Sequence, residues 1–310
     1  VLRAALGQDG IEPLGSRLRT LGPLPFAGAV ALHFASVALG TWRWRLLLRA
    51  RGVRLPGAFL LRSYLVGRFA AAFTPSTAGL DVVRALHVGR AIGDLPASTA
   101  VIATEKAIGV LGLALVGAGL AAAGADVLPR GPALLAAACA AAAATAGLAL
   151  LARPSLLAPL TRALPGPLRT RAGALLHALP SGGLEARTLG RALALGLLGH
   201  LAVSAAFAAA GLALGVHASG AALLTVGNAL VISQLLPISV SGAGVREGVA
   251  VVLLARLGVP AADAALVSLL GYLAGQGPAL AGGLLATLPA PAARAAVTGS
   301  AFPGAVVTKS

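Results

Sequence analysis

Acidic residues are scarce in this chain: 9 Asp and Glu stand against 24 Lys and Arg in 310 residues. Charged residues of both signs make up only 11%, hydrophobic residues reach 58%, and mean hydropathy is +0.91. A water-soluble domain covers its surface with about 25% charged residues, so an ordinary soluble globule is excluded. A single cysteine, Cys139, excludes an intramolecular disulfide and a cysteine-rich metal site. Within LLAAACAAAAA it reads as a small buried or lipid-facing residue. Methionine is absent even at position 1, so the chain is expected to start at a non-standard codon read as Val or partway through a longer protein. Lysine occurs only at Lys106 and Lys309, a bias toward arginine that reflects GC-rich coding and not chemistry. No HExxH, GxSxG, phosphate-binding P-loop or clustered His/acid set is present. Neither catalytic residues, nor a metal, nor a cofactor is therefore expected.

What remains is long apolar runs separated by arginines. The formal charge of +15 would suit a nucleic-acid partner, but the arginines fall in short segments between uncharged stretches and not over one polar face. Nucleic acid is excluded on that ground. A membrane helix needs about 20 apolar residues. Uncharged runs extend over Thr20–Trp42 (23 residues), Ala107–Ala125 (19), Gly131–Ala152 (22), Ala192–Val245 (54) and Ala264–Ala293 (30). The fourth has room for two crossings joined near Gly215–Gly220, which brings the expected spans to six. Two further segments, Gly57–Thr74 with Arg62 and Arg68, and Val245–Leu257 with Arg246 and Glu247, carry charge at membrane depth. Such charges are costly and mark candidates for function. The arginine-rich stretches Arg43–Arg54 and Arg153–Arg191 are placed in the cytoplasm, with Trp42 and Trp44 at the interface. The first 20 residues do not read as a signal peptide, because the apolar run ends in WRWR without a cleavage site.

A pattern occurs twice. FTPSTAGLDVVRALHVGRAIGDLPASTAVIATEKAIG, from Phe73 to Gly109, matches in order LLPISVSGAGVREGVAVVLLARLGVPAADAALVSLLGYLAG, from Leu235 to Gly275. Each copy has a proline (Pro75, Pro237) and then glycine (Gly79; Gly242 and Gly244). A short helix with a charge pair follows (Asp81 with Arg84; Arg246 with Glu247), then another proline and a long apolar span. Proline removes an amide donor and glycine tolerates unusual angles, so both sites should interrupt helices. The expected fold is all-α, a polytopic transmembrane bundle of about eight helices with two broken or re-entrant elements in an inverted repeat. One domain covers residues 1–290, with repeat halves near 20–125 and 190–288, and 291–310 form a flexible tail.

Irregular backbone within a bilayer must be buried in protein or line a wet cavity. Helix starts near Gly79 and Gly244 would aim free N–H groups and positive dipole ends at such a cavity. Arg84 and Arg246 could then clamp a phosphate. Asp81, Glu105 and Glu247 would hold those arginines or meet a cationic headgroup. Gly242 and Ser241 complete the candidate substrate site. The competing reading makes the pairs internal ion pairs that neutralise each other. His33, His200 and His217 are read first as helix-packing residues and second as proton relays.

These motifs resemble the lysylphosphatidylglycerol synthase-type transmembrane family, also called flippase-like domain proteins. The resemblance rests on Arg43-Trp44, TPSTAGLDVVR (Thr74–Arg84), TEKAIG around Glu105 and LPISVSGAGVREG (Leu236–Gly248) followed by LLARLGV, and covers about residues 15–290. It implies a membrane fold of about eight helices with re-entrant elements. In larger bifunctional members this region is associated with moving aminoacylated phosphatidylglycerol between leaflets, while a separate soluble domain makes that lipid. The chain ends in a short Pro/Ala tail without such a domain, so lysyl transfer is not implied. It departs from the family pattern at Gly79-Leu80-Asp81, where two adjacent glycines usually precede the acid, and at Glu105-Lys106, where Glu-Arg is common.

The expectation is therefore a multi-pass cell-membrane protein that translocates an anionic, zwitterionic or aminoacylated phospholipid, or a lipid-linked headgroup. Membrane lipids are its partners, and homo-oligomerisation is left open. The alternatives are a membrane-embedded transferase or accessory acting on lipid-linked precursors, and a scaffold whose polar groups only hold helices together.

Overall fold

A computed structural model describes residues 19–74, 78–123, 127–153, 165–166, 169–170, 183–234, 242–289 and 296–297. Nine helices lie among the described residues. They are α1 (Pro23–Ala50), α2 (Gly57–Ala71), α3 (Ala78–Ile92), α4 (Leu95–Ala123), α5 (Arg130–Ala152), α6 (Ala186–Ala213), α7 (Gly220–Ser233), α8 (Val245–Ala255) and α9 (Ala261–Ala286). The protein is an all-α membrane helix bundle. Five helices, α1, α4, α5, α6 and α9, are long and apolar enough to cross a membrane, with 23 to 29 residues each. At 1.5 Å per residue they reach about 35 to 44 Å.

Three expectations about the spans need correction. Among the described residues the second crossing expected within Ala192–Val245 is the 14-residue α7, because an uncharged run counts turns as well as helix. Here it includes the turn at Gly215–Ser219 and residues 235–240, which lie outside the described set. Helix α1 continues through Arg43, Arg45 and Arg49 to Ala50, and α4 begins at Leu95, taking in Glu105 and Lys106. A charge ends a membrane helix only when it lacks a partner, and Arg43 has one in Glu105. Trp44 is consequently not at an interface but fully buried, whereas Trp42 is exposed. Helix α1 stops at Arg51 and Gly52, whose amides bond to Leu48 O and Arg49 O, with Gly52 at φ 74°. Val53–Arg54 then pairs antiparallel with Ala296–Val297, inside the stretch expected to be a tail.

The helix contacts have an exchange pattern. Swapping α1 with α6, α2 with α7, α3 with α8 and α4 with α9 carries the contact set of these eight helices onto itself. Thus α2 packs on α9 as α7 packs on α4, and α1 packs on α9 as α6 packs on α4. Each set of four has its own core. Trp44, Leu48, Leu60, Val88 and Ile108 form one, and Phe207, Val226, Leu230, Leu254 and Val267 the other. Helix α5 stands outside the pattern, packed mainly on α4 and mostly uncovered, with Cys139 exposed.

In lipid there is little hydrophobic drive between helices, and small residues let backbones approach. Helices α2 and α9 meet this way: a Cβ on Gly282 would stand 1.9 Å from Leu65 O. At the α6–α7 contact a Cβ on Gly227 would stand 2.2 Å from Ser204 O. Neither backbone can yield as a flexible side chain would. Arg62 also ties α2 to α9, donating to the carbonyls of Leu285, Leu288 and Pro289 at the α9 C-terminus. That accounts for one of the two charges noted in this segment as a helix clamp. Gly282→Val should lower stability by about 3 kcal/mol, the upper end for overpacking, read as a reduced thermal midpoint in detergent. An unchanged midpoint would show that α2 and α9 are not closely packed.

Candidate functional site

Two buried charge clusters flank a cavity whose mostly apolar wall carries a few polar groups. The first is built where α3 turns back on α2. The Gly79 amide donates to Thr74 Oγ1 at 3.0 Å, and Gly79 is buried against the carbonyl of Ala70. This close approach starts α3 with Asp81 in its first turn and Arg84 three residues on, one helical step that brings their side chains together at 3.0 Å. Arg84 also donates to Glu105 Oε2 of α4 at 2.6 Å. The other Glu105 oxygen accepts from Arg43 of α1 at 3.0 Å. Arg43 reaches it beside Gly109 and Gly196, where a Cβ on Gly196 would stand 2.9 Å from the guanidinium. Lys106 closes the chain on Asp81 at 2.6 Å. The order Arg43, Glu105, Arg84, Asp81, Lys106 joins three helices, with Arg84 only 4% exposed. Its guanidinium lies 5.1 Å from the Trp44 ring and 4.7 Å from the Tyr64 ring.

The second cluster occupies the start of α8. Gly242 and Gly244 have φ of 77° and 84°, a turn that L side chains rarely adopt. Glu247, in the first turn, reaches back to the Gly244 amide at 2.6 Å, which satisfies an otherwise orphaned helix-end donor. Its other oxygen accepts from Arg246 at 2.6 Å and from Ser268 of α9 at 3.2 Å. Arg246 donates also to Ser268 Oγ, and its guanidinium lies 4.4 Å from the Tyr272 ring. Under the helix exchange the two clusters correspond, with an α3 arginine bound to α4 and an α8 arginine bound to α9.

Between them lies a cavity of about 260 Å³. Its walls include His33 of α1, Arg68 and Tyr64 of α2, His200 of α6, Gln234 at the end of α7, and Tyr272 and Gln276 of α9. His33 Nε2 donates to Gly271 O at 3.1 Å, and His200 Nε2 donates to Gly109 O at 2.9 Å. Each histidine thus bonds across to the other set of four helices, and the two bonds exchange along with the helices. Arg68 donates to Gly275 O at 3.1 Å. That carbonyl lies one turn before Pro278, which removes an amide donor from α9.

The residues expected to form the site divide clearly. Asp81, Arg84 and Glu105 come together, as do Arg246, Glu247 and Gly244, but none of them, nor Gly79 or Gly242, lines the cavity. Ser241 lies outside the described residues, as do Pro75 and Pro237. The amides of Gly79 and Gly244 are not free tips, since Thr74 and Glu247 already accept from them. Arg84 is committed to two carboxylates. The cluster arginines Arg84 and Arg246 lie against two residues that do line the cavity, Tyr64 and Tyr272, the chain's two tyrosines. Their rarity within apolar segments was the signal available for them. Arg68 was visible as a charge at depth, but nothing in the sequence distinguished it from the clamp Arg62.

The family model described as the lysylphosphatidylglycerol synthase TM region matches residues 1–283. No curated protein matches the chain.

Removing one member of a buried ion network leaves uncompensated charge and costs about 3–5 kcal/mol, whereas an exposed pair contributes about 0–1 kcal/mol. Glu105→Ala should therefore lower the thermal midpoint in detergent far more than Lys106→Ala, whose side chain is half exposed. Equal small losses would show that the cluster does not hold the helices together.

Proposed function

The chain belongs to the lysylphosphatidylglycerol synthase transmembrane family. We propose that it acts as a multi-pass cell-membrane protein moving a phospholipid or lipid-linked headgroup between leaflets, without making or breaking a covalent bond. The observation that carries this reading is the cavity, mostly apolar with a few polar groups, whose walls come from both of the exchanged helix sets. Transporters built from inverted repeats bind their cargo at the repeat interface and open it alternately to either side. The matching His33 and His200 contacts and the paired arginine clusters support such an arrangement here.

Size supports a headgroup as cargo. Pockets that enclose a whole small molecule span about 300–1,000 Å³, and this cavity is smaller at about 260 Å³. A headgroup enters while the acyl chains remain among lipids or along the outer helices. The buried arginines of the two clusters are paired with carboxylates inside the bundle, so the walls hold their shape in a low dielectric. The test is reconstitution into vesicles with fluorescent phospholipid and no other factor. Transfer of intact labelled lipid to the opposite leaflet is the expected result. Chemically modified lipid would indicate a transferase instead, and neither outcome would leave a scaffold.

A further inference from the structure

Arg68 stands apart from the two clustered arginines. Arg84 pairs with Asp81 and Glu105, and Arg246 pairs with Glu247. Among the described residues no carboxylate pairs with Arg68. Its Nη2 donates to one carbonyl, Gly275 O, and its Nε is buried without a hydrogen-bond partner. A guanidinium offers five N–H donors and keeps its charge under all ordinary conditions. An uncompensated cation inside a membrane bundle is costly, and this one faces a cavity with no acidic residue in its walls.

The other polar groups sharpen the assignment. Gln234 and Gln276 direct their amide nitrogens to carbonyls of their own helices, Leu230 O and Tyr272 O. His33 and His200 spend Nε2 on carbonyls across the bundle. Tyr64 and Tyr272 share the cavity wall with Arg68, which leaves the Arg68 guanidinium as the charged donor there, a group suited to oxyanions.

We infer that Arg68 is the anchor for the phosphate of a lipid headgroup bound in this cavity, and that Arg84 and Arg246 support the walls without touching it. The inference rests on the cavity being a headgroup site. It also sets a selectivity. With no carboxylate in the lining, the cavity recognises phosphate and does not read a headgroup amine.

The test uses the purified full chain in neutral detergent, with thermal midpoints followed against short-chain phosphatidylglycerol, the matching short-chain diacylglycerol, and inorganic phosphate. The expected result is stabilisation by the phospholipid and not by the diacylglycerol. Arg68→Gln should weaken phospholipid binding by about tenfold or more, as for loss of a charge-assisted hydrogen bond. Arg68→Lys should fall between, because it keeps charge but loses the planar fork. The lipid-free Arg68→Gln protein should be as stable as wild type or more so, since an unpaired buried charge is gone, an outcome that a merely structural arginine would not give. Undiminished phospholipid binding by Arg68→Gln overturns the inference, as does loss of the folded state in both variants. Equal stabilisation by inorganic phosphate overturns the lipid assignment. A wild-type protein that binds phospholipid through Arg68 yet moves none in vesicles sinks the translocation reading alone.

Discussion

Charge compensation in a low dielectric is the constraint on which this structure depends. A bundle with 58% hydrophobic residues has no bulk water inside to solvate arginine. Every buried guanidinium must therefore find an anion, a set of carbonyls or a wet cavity. Arg43 and Arg84 find Glu105, Arg246 finds Glu247, and Arg62 finds the open carbonyl end of α9. The Arg43 and Arg62 solutions also join helices that are distant in sequence. Electrostatics here does the joining that hydrophobic burial does in a soluble core, because lipid competes equally for apolar surface.

Glycine and proline make these solutions sterically available. Gly196 lets the Arg43 guanidinium lie close, and Gly40 leaves room for the Tyr64 hydroxyl, which a Cβ there would meet at 2.6 Å. Pro278 removes the amide that would bond Ala274 O, in the same stretch of α9 where the carbonyls of Gly271 and Gly275 receive His33 and Arg68. Backbone irregularity at membrane depth and polar side chains aimed at it occur together, as expected where free carbonyls must be satisfied within the protein. The cavity sits where these features from both helix sets converge.

Much of this was legible in the sequence, for reasons that can be stated. Asp81 and Arg84 lie one helical step apart, so spacing alone brings them together, whereas the neighbours Arg246 and Glu247 meet where Glu247 turns back to the start of α8. The short helices after Gly79 and Gly244 followed from the conformational limits of proline and glycine. The Arg43–Glu105 bond, 62 residues apart, depends on which helices pack and cannot be read from spacing. For the same reason the first span was ended too early at Trp42. The cavity was the least legible feature, since no single segment carries its pattern. It is assembled from separated residues such as Tyr64, Arg68, His200 and Gln276.

The central claim is that the arginines of the two clusters are paired with carboxylates within the protein while Arg68 is left for the anion of a ligand. Its most direct test is to supply that anion from the protein itself. Gln276 lines the same cavity as Arg68 and follows the residue whose carbonyl Arg68 already binds. The decisive measurement is the thermal midpoint of Gln276→Glu in detergent, with and without short-chain phosphatidylglycerol. The account predicts a higher midpoint for the lipid-free variant and little further gain on adding lipid. A lipid-free midpoint at or below wild type, with full stabilisation by lipid retained, would contradict it.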